Sequence, residues 1–115
     1  MEQRRESNRN MCAELLTIRW TDGEGRSRSE VATLEDISAT GACLQLEHLI
    51  PAATEVSLHY PNGKYKGKVK YCTYQGFGYV VGIAFHDGYR WSKTDFEPSH
   101  LVEIPMTPRE RVTFE

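Results

Sequence analysis

Three arginines near the N-terminus are the first residues whose type and spacing suggest a chemical role. Arg4, Arg5 and Arg9 fall within one short, otherwise polar stretch. A guanidinium is planar and permanently charged, so it can bind a phosphate through two parallel hydrogen bonds, donate to guanine O6 and N7, or stack on a purine ring. The cluster therefore indicates a binding site for an anion that carries phosphate, guanine or both.

A second motif further along the chain supplies the complementary groups, with Asp36, Ser38 and Gly41 at fixed offsets. A carboxylate can accept hydrogen bonds from the N1–H and N2–H groups of guanine, and a hydroxyl can donate or accept. Gly41 can let the backbone turn, or let another backbone approach closely. A purely structural role remains open here, because Asp and Ser also bond to their own backbone in turns.

The overall composition places these motifs in one compact unit. A chain of 115 residues with 39% hydrophobic and 26% charged residues is a single domain's worth of globular protein. No apolar run is long enough to span a membrane, and the N-terminus is charged where a secretory signal would be apolar. We therefore expect a soluble, cytoplasmic protein. The net charge of −2 argues against a dedicated nucleic-acid-binding protein.

Metal, disulfide and catalytic chemistry are not indicated. Cys12, Cys43 and Cys72 are odd in number and far apart, and the four histidines are scattered, so we expect small buried thiols and no zinc site. The sequence shows no nucleophile and base at a recognisable spacing, no phosphate-binding loop and no clustered carboxylates. We expect no enzymatic activity.

Alternating apolar and polar residues predict an all-β, mainly antiparallel fold. Asp22-Gly23 and Asn62-Gly63 are hairpin signals, the latter typical of a type I′ turn. Six strands at this spacing predict a small barrel or an open sandwich. The predicted strands begin near Ala13, Ser27, Ala42, Val56, Lys64 and Phe77.

The two ends of the chain have a different character from the strands. Residues 1–11 predict a flexible arm, residues 12–105 the barrel domain, and residues 106–115 a frayed tail. A short helical turn is expected to start near Pro98. Three apolar residues after it would cover an open end of the barrel: Leu101, Val102 and Ile104.

One predicted strand carries a lysine at every second position, from Lys64 to Lys70. Such a row could bind nucleic acid, with Tyr65 and Tyr74 as stacking platforms. Lysines also keep sheet surfaces solvated and protect exposed edges. We favour the solvated face.

Taken together, the two motifs resemble those of the PilZ domain family. That family carries R-x-x-x-R on a flexible N-terminal segment and [DN]-x-S-x-x-G on the barrel that follows. Both motifs are intact here and in the same order: Arg5 and Arg9, then Asp36, Ser38 and Gly41. The resemblance extends over residues from about 4 to 85.

This resemblance implies a bacterial receptor for cyclic diguanylate (cyclic di-GMP). Arg5 and Arg9 would close over guanine and phosphate as the arm folds onto the barrel. Asp36 and Ser38 would read the guanine edge, and Gly41 would shape the turn.

The resemblance also implies features beyond the two motifs. An arginine at the position of Arg4 accompanies the binding of two intercalated ligand molecules in this family. With no attached effector domain in sight, we expect the signal to pass to a separate partner protein. The alternatives are a nucleotide-independent interaction module of the same fold and a small nucleic-acid-binding barrel.

Overall fold

The computed structural model describes residues 9–104, which form strands, turns and loops without any helix. No segment within that range could therefore cross a membrane as a helix. The seven strands are β1 (Arg9–Thr21), β2 (Ser27–Ser38), β3 (Gly41–Leu46), β4 (Glu55–Tyr60), β5 (Gly63–Tyr74), β6 (Tyr79–Phe85) and β7 (Val102–Ile104).

Six of these strands close into a barrel. The order β2-β3-β6-β5-β4-β1 is completed by pairing of β1 with β2, and every pairing is antiparallel. The predicted six-stranded antiparallel barrel is therefore confirmed. The seventh strand, β7, pairs with the beginning of β1.

Strands β1 and β2 form the longest hairpin of the barrel. Its turn is the predicted one, because Asp22 Oδ1 accepts hydrogen bonds from the backbone N–H groups of Glu24 and Arg26, both at 2.9 Å. The strand starts at Arg9 instead of near Ala13, so it includes residues assigned above to the flexible arm. Pairing with β2 on one side and β7 on the other supplies backbone partners for these first residues.

The hairpin between β4 and β5 forms where it was predicted but with a different turn. Tyr60 pairs with Gly63, so Pro61 and Asn62 are the two turn residues. A type I′ turn requires positive φ at both of its central residues. Of the two turn residues, Asn62 has no positive φ and Pro61 fixes its own φ near −65°. Gly63, the second residue of the predicted Asn-Gly turn, has no positive φ either. The type I′ prediction is therefore wrong.

The expected helical turn near Pro98 is also not formed. Residues 99–100 make a turn instead, with His100 at a φ of 58°, and the chain continues into β7. Two hydrogen bonds fix this segment along β1: Ser99 N donates to Glu14 Oε1 at 2.7 Å, and Ala13 N donates to Ser99 O at 2.9 Å. An open edge of β1 favours a strand here over a helix.

The loop before β7 closes one end of the barrel with aromatic side chains. Trp91 and Phe96 are buried, and Trp91 Nε1 donates to the Phe96 carbonyl oxygen at 2.7 Å. Val102, which was expected to take part in covering the barrel, is 58% exposed. Leu101 is half-buried, and the side chain of Ile104 lies outside the described part of the chain. Trp91 and Phe96 of the loop therefore cover this end, and Val102 does not.

Irregularities in strand pairing decide which side chains leave the core. Leu34 is fully buried, so regular alternation would also turn Asp36 inward. A register shift between these two residues lets Ile37 take the core position. A second shift separates Val69, which is buried, from Tyr71, which is 46% exposed.

Gly41 is required because two backbones approach closely where β3 meets β6. A Cβ at this position would lie 2.5 Å from the carbonyl oxygen of Ile83. Gly41 does not have a positive φ. Of the two roles left open for this glycine, close approach is the one the structure supports.

Replacing Gly41 with Ala should destabilise the barrel by about 1–3 kcal/mol, the usual range for overpacking. The added methyl group meets backbone, which cannot move aside without separating β3 from β6. Urea denaturation would measure the change in the free energy of unfolding. Gly23→Ala is the matched control, because nothing lies within 4 Å of its added Cβ. Equal stability of the two variants would contradict the packing argument.

Candidate functional site

One row of paired residues runs across five neighbouring strands and forms the floor of the candidate site. Met11 of β1 pairs with Asp36 of β2, which pairs with Cys43 of β3. Cys43 pairs with Gly82 of β6, and Gly82 pairs with Tyr71 of β5. Residues from distant parts of the sequence thereby share one patch of the barrel's outer surface.

Arg9 and Asp36 form an ion pair at one end of this row. Arg9 Nη2 lies 2.5 Å from Asp36 Oδ2, and the Arg9 side chain is 52% exposed whereas that of Asp36 is 12% exposed. The hydrogen bond and the charge of Asp36 raise the pKa of Arg9 above its ordinary value. Because a guanidinium has five N–H donors, Arg9 can bind Asp36 and still present donors outward.

Ser38 and Gly41 lie beside this pair at the junction of β2 and β3. They pair with each other across residues 39–40, so Asp36 and Ser38 end a strand and do not form the turn itself. The Ser38 hydroxyl donates to the Gly41 carbonyl oxygen only at a long 3.5 Å. A hydroxyl held this weakly remains available to a ligand.

The ion pair and the β2–β3 junction border an open cleft of about 410 Å³. This volume falls in the range of small-molecule binding sites in proteins. Its other lining residues include Thr40, Ala42, Lys70 and Phe85. Lys70 adds a second cation to Arg9, so the cleft suits an anionic ligand.

Tyr71 and Cys43 complete the cleft and were not identified from the sequence as site residues. The Tyr71 ring lies directly over Gly82, where a Cβ would overlap it, and the Tyr71 hydroxyl donates to Cys43 Sγ at 3.9 Å. Burial is the main cause that raises the pKa of Tyr71 and of the Cys43 thiol. Cys43 and then Asp36 raise the pKa of Tyr71 further, and Asp36 raises that of Cys43, whose hydrogen bond from Tyr71 acts in the opposite direction. Both groups therefore stay protonated at neutral pH.

The sequence contains only part of the information that would identify Tyr71 as a residue of the cleft. A glycine in a strand, such as Gly82, lets another element come close, but strict alternation along β5 places Tyr71 on the same face as Tyr65, which is buried. The register shift after Val69 is what brings the ring to the glycine.

The structure thus brings together four of the six predicted site residues: Arg9, Asp36, Ser38 and Gly41. Arg4 and Arg5 lie outside the described residues. Within residues 9–104, no group of three or more His, Cys, Asp or Glu side chains could hold a metal ion. All three cysteines are free and half-buried, and burial raises the pKa of Cys12 to about 11.

Comparisons with known proteins agree with this architecture. A fold comparison matches the chain to the PilZ domain with c-di-GMP of YcgR from Escherichia coli, with a TM-score of 0.54 and 12% sequence identity. The match covers 74% of this chain and 79% of that one, and at this identity it shows a shared fold. Curated protein sequences gave no match. The family model described as PilZ domain matches residues 3–90, which is most of the chain. This chain therefore belongs to the PilZ domain family.

Proposed function

We propose that this protein is a receptor for cyclic di-GMP. The observation that carries the proposal is the contact between Arg9 and Asp36 on adjacent strands, at the edge of an open cleft that also contains Ser38. Family membership supports it, as does the ligand named for the YcgR domain of the same fold.

The side chains at the cleft match the ligand's two kinds of polar group. Arg9 can bind a phosphate or donate to guanine O6 and N7. Asp36 has two oxygens and can accept from guanine N1–H and N2–H. Because Arg9 and Asp36 hold each other in place before binding, the site is partly organised in advance.

The residues before Arg9 complete the proposed site. Arg5 would add a second guanidinium from the chain just ahead of β1, and the arm would become ordered around the ligand. Ordering a segment costs conformational entropy, which lowers the affinity but makes the arm itself a signal. A separate partner protein would read this change.

A receptor and adaptor role fits the cleft better than a catalytic one. The two groups in it that could act as nucleophiles, Cys43 and Tyr71, have raised pKa values and are therefore poorly ionised at neutral pH. We propose binding without turnover.

Arg9→Ala should weaken cyclic di-GMP binding by about 2 kcal/mol or more, roughly thirtyfold in Kd, because a charge-assisted contact is lost. Isothermal titration calorimetry would measure the affinity. Arg26→Ala is the control, since that arginine is exposed in the β1–β2 turn with carboxylate partners of its own. A melting curve for each variant separates lost binding from lost stability.

The same titration followed by amide NMR tests the proposal directly. Signals of residues 4–9 and 36–41 should shift or broaden as the ligand is added. If neither segment responded, the receptor assignment would fail while the barrel would stand.

Tyr71→Ala should weaken cyclic di-GMP binding by about 1–3 kcal/mol, the scale for stacking of a base on an aromatic ring. The ring faces the cleft and is held by its contact with Gly82. Tyr71→Phe keeps the ring and loses only the long hydroxyl contact with Cys43, so it should bind nearly as well as the wild type. Equal losses in both variants would show that the hydroxyl, not the ring face, contacts the ligand.

Arg4→Ala should reduce the number of ligands bound per chain from two to one. The proposed second molecule stacks on the first and needs a further cation, which Arg4 would supply. Stoichiometry from calorimetry at saturating ligand measures this. A wild-type stoichiometry of one would remove the stacked dimer from the proposal and leave the single site intact.

A further inference from the structure

A second and larger groove lies on the barrel away from the ligand cleft. Its volume is about 1110 Å³, and it shares no lining residue with that cleft. Trp20 and Val56 form its buried floor, and Leu49 and Pro51 form an apolar side. Leu49 is 56% exposed, which leaves apolar surface open to a partner.

A row of outward-facing residues crosses the sheet at this groove. Ser29 of β2 pairs with Arg19 of β1, Arg19 with Ser57 of β4, and Ser57 with Lys66 of β5. All four residues line the groove. Neighbouring strands are about 4.8 Å apart, so the Arg19 and Lys66 backbones are separated by roughly 10 Å.

The adjacent row extends the positive charge. His59 of β4 pairs with Thr17 on one side and Lys64 on the other. Arg19, Lys64 and Lys66 are called the cationic face below, and His59 lies among them as a neutral imidazole. The pKa of His59 is lowered by burial and then by the charges of Arg19 and Lys64, which agrees with a local excess of positive charge.

The cations of this face have no acidic partners within residues 9–104. The nearby acids are instead paired with basic residues outside the face. Arg19, Lys64 and Lys66 make no ion pair there. Asp22 and Glu55, the two acids lining the groove, are already engaged. Their partners are Arg26 and Arg28 for Asp22, and Lys68 and His86 for Glu55. The face therefore has unbalanced positive charge on a chain whose net charge is −2.

We propose that the cationic face and its groove bind an extended acidic segment of a partner protein. Carboxylates of the segment would meet Arg19 and Lys66, and an apolar side chain would enter the groove beside Leu49. The hydroxyl of Ser29 can bond to the partner's polar groups, whereas that of Ser57 already shares a hydrogen bond with His59 Nε2 at 2.8 Å. The surface lies apart from the ligand cleft, so the inference does not rest on cyclic di-GMP binding.

An acidic protein segment fits this surface better than nucleic acid or a lipid surface does. Single-stranded nucleic acid binds to exposed aromatic rings, and the aromatic residue of this groove, Trp20, is only 8% exposed. A membrane favours a convex surface with protruding apolar groups, whereas this apolar surface is concave. A narrow row of cations beside an apolar groove suits alternating acidic and apolar side chains.

The test compares the full chain with the double variant Arg19→Glu, Lys66→Glu. The probe is a fluorescein-labelled peptide of about a dozen residues that alternates glutamate and leucine, a length sufficient for one extended docking segment. Fluorescence anisotropy at low salt should show binding to the wild type and at least about tenfold weaker binding to the variant. A peptide that alternates lysine and leucine should show the reverse preference.

The control variant is Arg90→Glu, Lys93→Glu, which changes the net charge equally at exposed positions outside the groove. It should bind the acidic peptide like the wild type. A melting curve of the Arg19 and Lys66 variant that matches the wild type shows an intact barrel. Because neither this control nor the peptide measurement uses cyclic di-GMP, failure here is distinguishable from failure of the receptor proposal.

Three outcomes would overturn the inference. The first is that the acidic peptide binds the wild type no better than a serine and leucine peptide of equal length. The second is that the control variant loses as much binding as the test variant, which would indicate a general charge effect. The third is that oligothymidylate or phosphatidylglycerol vesicles bind as tightly and respond as strongly to the double variant, which would assign the face to nucleic acid or to a membrane.

Discussion

The antiparallel ladder between β1 and β2 is the constraint on which the candidate site depends. It pairs Met11 with Asp36 and so places Arg9 against a carboxylate 27 residues away in the sequence. The ion pair itself contributes little stability, because exposed pairs are worth about 0.2–1 kcal/mol and the Arg9 side chain is half exposed. Backbone pairing and the buried side chains of Leu34 and Ile37 hold the geometry. A ligand can therefore take Arg9 without disturbing the barrel, at small cost only if the ligand also satisfies the Asp36 carboxylate, which is 12% exposed.

Register shifts explain why the cleft was only partly predictable. Alternation of apolar residues identified six strands and the motif that ends β2, because core burial enforces a period of two along each strand. The same rule placed Tyr71 on the face of Tyr65, which is wrong because an extra residue after Val69 turns it outward. Such a bulge depends on what the neighbouring strand offers, here the small Gly82, and not on local sequence.

Other differences have equally local causes. The short β7 forms because β1 has an unpaired edge at Arg9–Met11, and that edge exists only once the barrel has closed. The lysine row predicted on β5 is present, but its members have different surroundings. Lys68 pairs with Glu55 and Lys70 lines the candidate cleft, whereas Lys64 and Lys66 have no acidic partner among residues 9–104. Sequence periodicity predicts the shared face but not the neighbours that each charge meets.

Both proposed binding surfaces include residues of β1, with Arg9 at one end of the strand and Arg19 towards the other. Ten residues of strand span roughly 33 Å, several times the Debye length of about 8 Å at physiological ionic strength. Direct electrostatic coupling between Arg9 and Arg19 is therefore negligible. Lys66 and Lys70 are closer, roughly 13 Å apart along β5, where salt weakens the interaction between the two surfaces without removing it. A ligand shifts a conformational equilibrium only by its different affinities for two states, and a closed, packed barrel offers one arrangement. Conformational coupling must therefore run through segments at the barrel's margin, or through a partner long enough to contact both surfaces at once.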